Sequence, residues 1–336
     1  MPRNRQNEDS ILQKIAQGSR SSQSREFRHS VPLGIGDDAA LFRPMAGHDT
    51  VLTCDWFLEG THFLRAKHPP DAVGWKCLAR AASDIAAMGG IPRCFLLSLA
   101  LPETHTGRWL ELFLGGLRRA SHKFRCALAG GDTTQRNEIL INVTVIGELR
   151  RELALRRSGA REGDLIYVSG MLGEAELGLQ LLRRTKGFAP RNSPILNKHL
   201  YPEPRLELGR WLAEKKTATA MIDLSDGLSS DLARLCSASR VGALVEGGKV
   251  PQIRLPHASS KYAANPIQLA FHGGDDYELL FTVPPPKAKL LPKTFQGVSL
   301  TAIGKITRSR KVMVLDEQGH ATQLAPRGWD PFRRKL

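Results

Sequence analysis

One stretch in the first half of the chain repeats its apolar positions with the period of an α-helix. Within residues 71–90, Trp75, Leu78 and Ile85 fall at intervals that place them on one helical face. Gly89-Gly90 closes the pattern, since glycine commonly follows the last helical turn. The same period, less strongly marked, predicts further helices at residues 9–17, 107–124, 173–185, 204–215 and 229–239.

Short runs of apolar and β-branched residues, bounded by glycine, proline and charged residues, predict strands. The run "TVLTCDWF" (50–57) is rich in residues that favour a pleated sheet, and "CFLLSLALP" (94–102) is apolar enough for a buried strand. The predicted strands are 50–57, 94–102, 138–149, 163–170, 219–224, 242–247, 277–283, 298–307 and 311–316.

The order of these elements divides the chain into two parts of similar make-up. A chain of 336 residues exceeds the commonest size of a single domain. Each part mixes helices with strands, and acidic residues repeatedly stand where a strand ends. We therefore predict an α+β protein with two domains, residues 1–150 and 151–336.

Composition adds no sign of a membrane segment or a cysteine framework. Hydrophobic residues make up 41% of the chain, but no window approaches 18 uninterrupted apolar residues, so no membrane span is predicted. The first residues lack the apolar core of a secretion signal, which leads us to expect a cytoplasmic protein. The five cysteines are scattered and never form a C-x-x-C pair, which argues against zinc and against disulfides.

The chain is strongly basic, with a formal net charge of +15. The excess is spread over several segments, and no aromatic-interleaved basic stripe, zinc finger or RNA-recognition signature accompanies it. A solvated basic surface is one interpretation, and attraction of polyanionic small molecules is a second. No specific nucleic-acid partner is expected.

Aspartates cluster behind glycines or strand ends at four places, and the stretch "AMIDLSDGLSSDL" (220–232) is the most informative. A short apolar strand delivers Asp223, Ser225 is placed to cap the next element, and Asp226-Gly227 opens a helix. A helix start favours a phosphate group, whereas carboxylates repel one unless a divalent cation bridges them. Mg²⁺ takes both carboxylate and phosphate oxygens, so this pattern predicts a metal–phosphate ligand.

The same reasoning extends to the other clusters. Asp37-Asp38 follow Gly34-Ile35-Gly36, and Asp132 follows Gly130-Gly131, where a missing Cβ lets the backbone approach a ligand. Asp84 stands in the last turns of a helix, where a carboxylate is disfavoured without compensation. Taken singly, each has a plainer interpretation: an ordinary turn, a charge at a helix end, or a surface residue.

Several familiar catalytic signatures are missing from the sequence. It contains no G-x-x-x-x-G-K-[ST], no H-R-D…N or D-F-G kinase motif, no G-x-S-x-G and no H-E-x-x-H. P-loop enzymes, protein kinases, serine hydrolases of the elbow type and zinc proteases of this class are thereby disfavoured.

Taken in order, seven segments resemble the thiamine-monophosphate kinase family of the aminoimidazole-ribonucleotide-synthetase-like superfamily. They cover residues 33–283 with a gap at the 186–200 connector, and "RGWDPF" (327–332) matches the family's C-terminal end. The segments are "GIGDDAAL", "TCDWFLEGTHF", "KCLARAASDIAAMGGIP", "AGGDTT", "RSGAREGDLIYVSGMLGEA", "IDLSDGLSSDL" and "GGDDYELLFTV".

The resemblance implies two PurM-like domains with mixed sheets flanked by helices, the N-terminal sheets of two subunits pairing into a barrel in a homodimer. It implies ATP-dependent phosphorylation of thiamine monophosphate, assisted by several Mg²⁺ ions, in a cleft between the two domains. The residues that it implies are Asp38, Thr53, Cys54, Asp55, Asp84, Asp132, Asp223 and Asp226 for Mg²⁺; Gly131, Asp132, Arg157 and Ser225 for ATP; and His62, Asp275 and Trp329 for thiamine phosphate.

Two positions depart from the family's pattern. Cys54 stands where a threonine or serine is usual, and a thiol is a poor replacement if that side chain meets Mg²⁺. Asp275 stands where a glutamate is common, which shortens its reach by one methylene. Because the acceptor is itself a phosphate monoester, we predict no protein general base.

Two alternatives stay open at this level. One is another ATP-dependent small-molecule synthetase of the same superfamily. The other is a protein that binds nucleotide or nucleic acid without catalysis, which the basic charge and Cys54 suggest.

Overall fold

The computed structural model describes residues 11, 13–16, 29–188, 193–253 and 265–332, and a mixed sheet organises each half of the chain. Of the predicted first helix (9–17), residues 11 and 13–16 are helical, and the rest lies outside the described residues. The first unit comprises Met1–Ile85, Gly90–Arg151 and Thr185–Pro190, and the second comprises Ala86–Gly89, Glu152–Arg184 and Arg191–Leu336.

The first unit is built on a four-stranded sheet with strand order β1-β4-β2-β3. Strands β2 and β3 run parallel, and the other neighbours are antiparallel. Its elements are β1 (His48–Leu58), α1 (Pro70–Ala87), β2 (Ile91–Leu101), α2 (Arg108–Phe124), β3 (Ala127–Gln135) and β4 (Leu140–Arg150), with a short 3-10 helix at Glu103–His105.

The predicted helical period of α1 is confirmed by its burial. Leu78 and Ile85 are fully buried, as are Ile141 and Val143 on the sheet strand β4. Along β1 the burial alternates over residues 50–57, where odd-numbered positions face inward and even-numbered positions are exposed. This alternation decides which β1 side chains can meet α1.

The second unit is built on an eight-stranded sheet with the order β12-β11-β7-β10-β5-β8-β6, and β9 pairs with β10. Only the pairing of β7 with β11 is parallel among the pairs of this described sheet. Its strands are β5 (Leu165–Ser169), β6 (Ala220–Leu224), β7 (Gly242–Glu246), β8 (Glu278–Val283), β9 (Thr294–Phe295), β10 (Val298–Thr307), β11 (Val312–Leu315) and β12 (Ala321–Gln323).

Helices cover this second sheet. Ile222 and Leu224 of β6 share a buried cluster with Leu228, Leu232 and Leu235 of the helix that follows. The helices are α3 (Glu174–Arg184), α4 (Pro194–Leu200), α5 (Leu206–Glu214), α6 (Leu228–Ser239), α7 (Pro266–His272) and α8 (Pro285–Ala288), with a 3-10 helix at Gly247–Lys249. None of the helices in the described part of the chain combines the length and the apolar character that a bilayer crossing requires.

Two segments differ from the prediction. The stretch "AGGDTT" is part of strand β3, which was not among the predicted strands, and β3 gains its hydrogen bonds from β2 despite its two glycines. The 186–200 connector contains helix α4, whose Ser193 side chain accepts a hydrogen bond from the Leu196 N–H at 3.4 Å. Both a serine cap and a proline in the first turn are ordinary helix-start signals.

Candidate active site

In the first unit, β1 and α1 bring three of the predicted site residues to one face of the sheet. Thr53 and Asp55 are inward-facing positions of β1. The Thr53 hydroxyl donates to Asp84 Oδ2 of α1 at 2.5 Å, and Asp55 Oδ1 lies 3.9 Å from Arg80 Nη2. The Arg80 guanidinium also lies over the Phe57 ring, 5.7 Å from its centroid. Asp84 is therefore compensated by a hydroxyl near the C-terminal end of α1.

Cys54 is not part of this group, because neighbouring strand residues point to opposite faces. Its exposed thiol lies with Asn142 of β4, with Sγ 3.3 Å from Oδ1 and 3.2 Å from Nδ2. The Cys54 side chain therefore does not join Thr53 and Asp55. The expected poor affinity of a thiol for Mg²⁺ does not affect the oxygen atoms of those two residues.

Asp37 and Asp38 lie at the exposed tip of a loop between Leu33 and Leu41, which form an antiparallel bridge. The Asp38 N–H donates to Asp37 Oδ1 at 2.9 Å, a local bond typical of aspartate in turns. The side chain of Asp37 is thus engaged by the backbone, whereas that of Asp38 is exposed.

Gly131 and Asp132 lie on β3, at the edge of the sheet opposite β1. A Cβ on Gly131 would lie 1.9 Å from the Leu97 carbonyl oxygen, so glycine is required for β3 to pack on β2. Asp132 is exposed and opposite Ser98 in the register, on the sheet face that carries Trp56 rather than Asp55. Three strand spacings, about 14 Å, separate β3 from β1.

His62 lies in the turn after β1. Its Nδ1 accepts the Leu58 N–H at 3.0 Å, and its ring stacks on Phe57 with centroids 5.9 Å apart. An accepting Nδ1 requires the tautomer that carries its proton on Nε2. The Leu58 N–H thus fixes the His62 ring in the form that carries its proton on Nε2.

In the second unit, β6 ends in a tight loop before α6. Asp223 is a buried residue of β6, and α6 begins after Gly227, which has φ of 105° and forms no side-chain cap. The prediction that Ser225 caps this helix is therefore wrong, because two residues separate it from the first turn. Its carbonyl instead accepts the Asp275 N–H at 2.8 Å, which ties the loop to the "GGDDYE" segment.

Asp226 is the most highly connected residue of this loop. Its Oδ2 lies 2.5 Å from Arg234 Nη1, its N–H donates to Asp231 Oδ2 at 3.0 Å, and its carbonyl accepts the Trp329 N–H at 2.9 Å. Burial, followed by the nearby Asp226 carboxylate, raises the pKa of Asp231 to about 6. The positive partner of Asp226 in this structure is an arginine.

The adjacent residues Asp275 and Asp276 have different partners. Asp275 has a φ of 67°, and its Oδ1 accepts the Tyr277 hydroxyl at 2.7 Å. Asp276 accepts the N–H groups of Gly173 and Ala175 at the start of α3, at 2.7 and 3.2 Å. Burial raises the pKa of Asp276 to about 8. Asp276 therefore fixes a helix start, whereas Asp275 is joined to Ser225 through its backbone N–H.

The C-terminal segment docks on the start of α6. The Arg327 N–H donates to Ser229 Oγ at 3.3 Å and the Gly328 N–H to Ser230 Oγ at 3.0 Å. Trp329 follows with its backbone on Asp226 and 37% of its surface exposed. The second unit therefore brings together Ser225, Asp226, Asp275 and Trp329, which the sequence separates by up to about a hundred residues.

Arg157 is not brought to this group within its own unit. Its carbonyl accepts the Ser239 hydroxyl at 2.8 Å, at the far end of α6 from Asp226. A helix of this length spans about 18 Å. The Arg157 side chain is exposed.

Sequence reasoning did not select Arg80, Asp231, Arg234 or Tyr277. The spacing of Asp231 and Arg234 is the i,i+3 spacing of a helical ion pair, which was a usable signal. Nothing in the sequence indicated that Arg234 also reaches Asp226. Among the residues that the structure describes, no three His, Cys, Asp or Glu side chains lie close enough together to hold a metal ion.

Known families and relatives cover both units of the chain. The chain matches the family models "AIR synthase related protein, N-terminal domain" over residues 36–149 and "AIR synthase related protein, C-terminal domain" over residues 161–316. It is 36% identical over 300 residues to the thiamine-monophosphate kinase of Aquifex aeolicus, covering 89% of this chain and 92% of that protein.

Two solved structures are similar over nearly the whole chain. The thiamine-monophosphate kinase of Stenotrophomonas maltophilia K279a has a TM-score of 0.76 and 35% identity, covering 91% of this chain and 94% of that one. AaThiL complexed with AMPPCP and TMP has a TM-score of 0.75 and 33% identity, covering 98% of both chains. The expected architecture of two AIR-synthase-like α+β domains is thereby confirmed.

Proposed function

The chain belongs to the thiamine-monophosphate kinases, and we propose that its reaction is transfer of the terminal phosphoryl group of ATP to the phosphate of thiamine monophosphate. The products are thiamine diphosphate and ADP. The observation that carries this conclusion is the similarity to a kinase structure that holds an ATP analogue together with TMP, which extends over both units of this chain. We expect the reaction to take place in the cytoplasm, where ATP is available.

Several Mg²⁺ ions are the proposed metal, and the oxygen donors that β1 and α1 bring together are of the kind that Mg²⁺ takes. Thr53 and Asp84 offer two hard oxygen atoms 2.5 Å apart, with Asp55 on the same face of β1. The Cys54 thiol lies on the other face and is left out of the proposal. When bound, Mg²⁺ neutralises phosphate charge. The proposed ligands are Asp38, Thr53, Asp55, Asp84, Asp132, Asp223 and Asp226.

ATP is proposed to contact Gly131, Asp132, Arg157 and Ser225. The space beside the Gly131 Cα is filled by the Leu97 carbonyl, so this glycine provides no open cradle for ATP on that side. The exposed Arg157 guanidinium is suited to a phosphate oxygen, because it presents several donors in a fixed plane.

Thiamine phosphate is proposed to contact His62, Asp275 and Trp329. With Nδ1 accepting from Leu58, the proton on His62 Nε2 can be donated to a phosphate oxygen. Asp275 is held by the Tyr277 hydroxyl and supplies negative charge. The half-exposed Trp329 ring offers a face to a cationic thiazolium.

No side chain of this chain is assigned the role of general base. The acceptor phosphate is already an anion at neutral pH, so its oxygen needs no proton removed before attack. The work of the protein is to position two anions in line and to offset their repulsion. Fixed charges such as Arg157 and fixed donors such as His62 serve that purpose.

A second copy of this chain is the proposed partner, with the first-unit sheets forming a shared barrel. On β1, Leu52 and Trp56 are 68% and 56% exposed on one face of an edge strand, which a soluble monomer rarely tolerates. Light scattering after size exclusion should show a dimer for the native chain and a smaller species for Leu52→Glu. A monomeric native chain would exclude this arrangement.

The test of the function is a product assay with thiamine monophosphate and ATP, with and without Mg²⁺. Thiamine diphosphate and ADP should form in equal amounts, and only with the metal. ADP without thiamine diphosphate would point to a different ATP-dependent synthetase. ATP binding by calorimetry without any product, or DNA binding that persists near ~200 mM salt, would point to a non-catalytic binding protein.

A further inference from the structure

Arg234 holds a carboxylate on which the proposed metal site depends. Its Nη1 lies 2.5 Å from Asp226 Oδ2 and 2.6 Å from Asp231 Oδ1, so one nitrogen serves two carboxylates. A guanidinium and Mg²⁺ seek the same partner, an ionised oxygen. A cation that approaches Asp226 on this side must therefore compete with Arg234.

The two carboxylates are held very differently. The Asp231 side chain is 1% exposed, and its second oxygen accepts the Asp226 N–H at 3.0 Å. The Asp226 side chain is 25% exposed, and that of Arg234 is 43% exposed. Asp231 is thus the fixed partner of Arg234, and Asp226 is the partner that can be exchanged.

The contacts of two other proposed ligands, Asp55 and Asp84, differ from those of Asp226. Asp55 Oδ1 is 3.9 Å from Arg80, which is beyond hydrogen-bonding distance, and Asp84 accepts from the neutral Thr53 hydroxyl. At Asp226 the partner is a full positive charge in direct contact. A metal ion that binds Asp226 on this side must therefore replace a cation that is already in contact with it.

We propose that Arg234 is a built-in competitor of the metal, which must be displaced from Asp226 before a divalent cation can bind there, so that Arg234 sets the metal affinity of the loop. This proposal rests on the proposed function, in which Asp226 is a metal ligand. After displacement the guanidinium keeps Asp231, since that contact requires no movement of a buried group. Arg234 is assigned a positioning role, which it exerts through Asp226.

The direct test uses Mn²⁺ as the probe, added to the full chain without nucleotide and followed by calorimetry or by the electron paramagnetic resonance of free Mn²⁺. Arg234→Met is expected to lower the Kd for Mn²⁺ by at least about tenfold, which corresponds to about 1.4 kcal/mol. The matched control is Arg210→Met. Arg210 is 45% exposed and pairs with Glu214 at 2.7 Å on α5 of the same unit, so this control removes the same charge.

Thermal stability gives a second readout that does not depend on activity. Without metal, Arg234→Met should melt below Arg210→Met, because Asp226 and Asp231 lose their shared counter-ion. Saturating Mn²⁺ should then raise its Tm by more than that of the native chain. If the methionine variant does not fold, Arg234→Gln, which also removes the positive charge, carries the test, and a Kd for Mn²⁺ equal to that of the native chain overturns the proposal.

Asp226→Asn separates this inference from the function on which it rests. The asparagine variant should bind Mn²⁺ more weakly, and adding Arg234→Met to it should produce no gain. If Asp226→Asn leaves Mn²⁺ binding unchanged, Asp226 is not a ligand and its place in the proposed function fails. If Asp226→Asn weakens binding but Arg234→Met binds Mn²⁺ like the native chain, only the role of Arg234 is overturned.

Discussion

Gly328→Ala should release the C-terminal segment from the proposed substrate site. A Cβ on residue 328 would lie 1.9 Å from the Asp226 carbonyl oxygen and 2.6 Å from Ser230 Oγ. The first contact cannot relax cheaply, because the Asp226 carbonyl belongs to the backbone of a tight loop. The segment must therefore move away, and the N–H groups of residues 327–329 lose their acceptors.

The size of the effect follows from the three hydrogen bonds that dock the segment. Each contributes about 0.5–1.5 kcal/mol net, so the docked state loses about 1.5–4.5 kcal/mol relative to the open one. At the lower limit the open population rises about tenfold. Trp329 is 37% and Phe332 94% exposed, so the loss should open the segment locally and leave the domain folded.

Hydrogen exchange at the Trp329 amide measures this opening, and steady-state kinetics measure its consequence. We expect exchange at that amide to accelerate at least about tenfold and the KM for thiamine monophosphate to rise, with a smaller change in kcat. The control is Gly248→Ala in the same unit, where the new Cβ would meet nothing closer than 3.8 Å. That variant should match the native chain in both measurements.

Two results would refute this reasoning at different steps. Native exchange at Trp329 in a folded Gly328→Ala chain would mean that the close approach to Asp226 does not control docking. Faster exchange with an unchanged KM would mean that this close approach does control docking, but that Trp329 does not contact thiamine phosphate.

Two further predictions concern the two units separately. Asp84→Asn should lower kcat by at least ~10²-fold while the Thr53 bond keeps the fold intact, and near-native turnover of the purified variant would remove Asp84 from the proposed site. Burial, and after it the positive charge of Arg327, lowers the pKa of His272. As the pH decreases through about 6.5, the unfolded chain therefore gains a proton before the folded chain does, and the free energy of unfolding decreases. His272→Gln, which can still bond Ser229, should reduce that fall in denaturant titrations; an equal fall in both proteins contradicts this assignment.

Local patterns predicted most helices and strands, because the buried positions of this chain are mostly the apolar positions that repeat at helical or strand spacing in the sequence. Helix α1 was expected at 71–90 and spans Pro70–Ala87. Strand β3 was missed because two glycines suggested a turn, and its hydrogen bonds come from a partner strand that no local pattern reveals. Pro92 lies inside β2, where the register shifts between Pro92 and Cys94 and the missing N–H is tolerated.

The candidate site was harder to predict because its contacts join distant positions. Trp329 contacts Asp226 although about a hundred residues separate them in the chain. The resemblance to a known family implied both as site residues but did not indicate that they are in contact. The Ser225 cap failed for a local reason: Gly227 takes a backbone conformation that moves the helix start two residues onward. The proposed role of Arg234 depends on its contact with Asp226, which lies beyond its i,i+3 partner Asp231. The spacing of residues along the chain indicates only the second of these contacts.

The clustered aspartates each have a different hydrogen-bonding or ionic partner. The nature of that partner decides whether the carboxylate can bind a ligand. Asp276 is held by two N–H groups of a helix start, which cannot leave without unravelling that helix. Asp226 is held by an exposed guanidinium, and Asp84 by a hydroxyl that is itself a possible metal ligand. Asp276 is therefore a structural carboxyl group, whereas Asp226 and Asp84 have partners that a bound metal ion can replace or join.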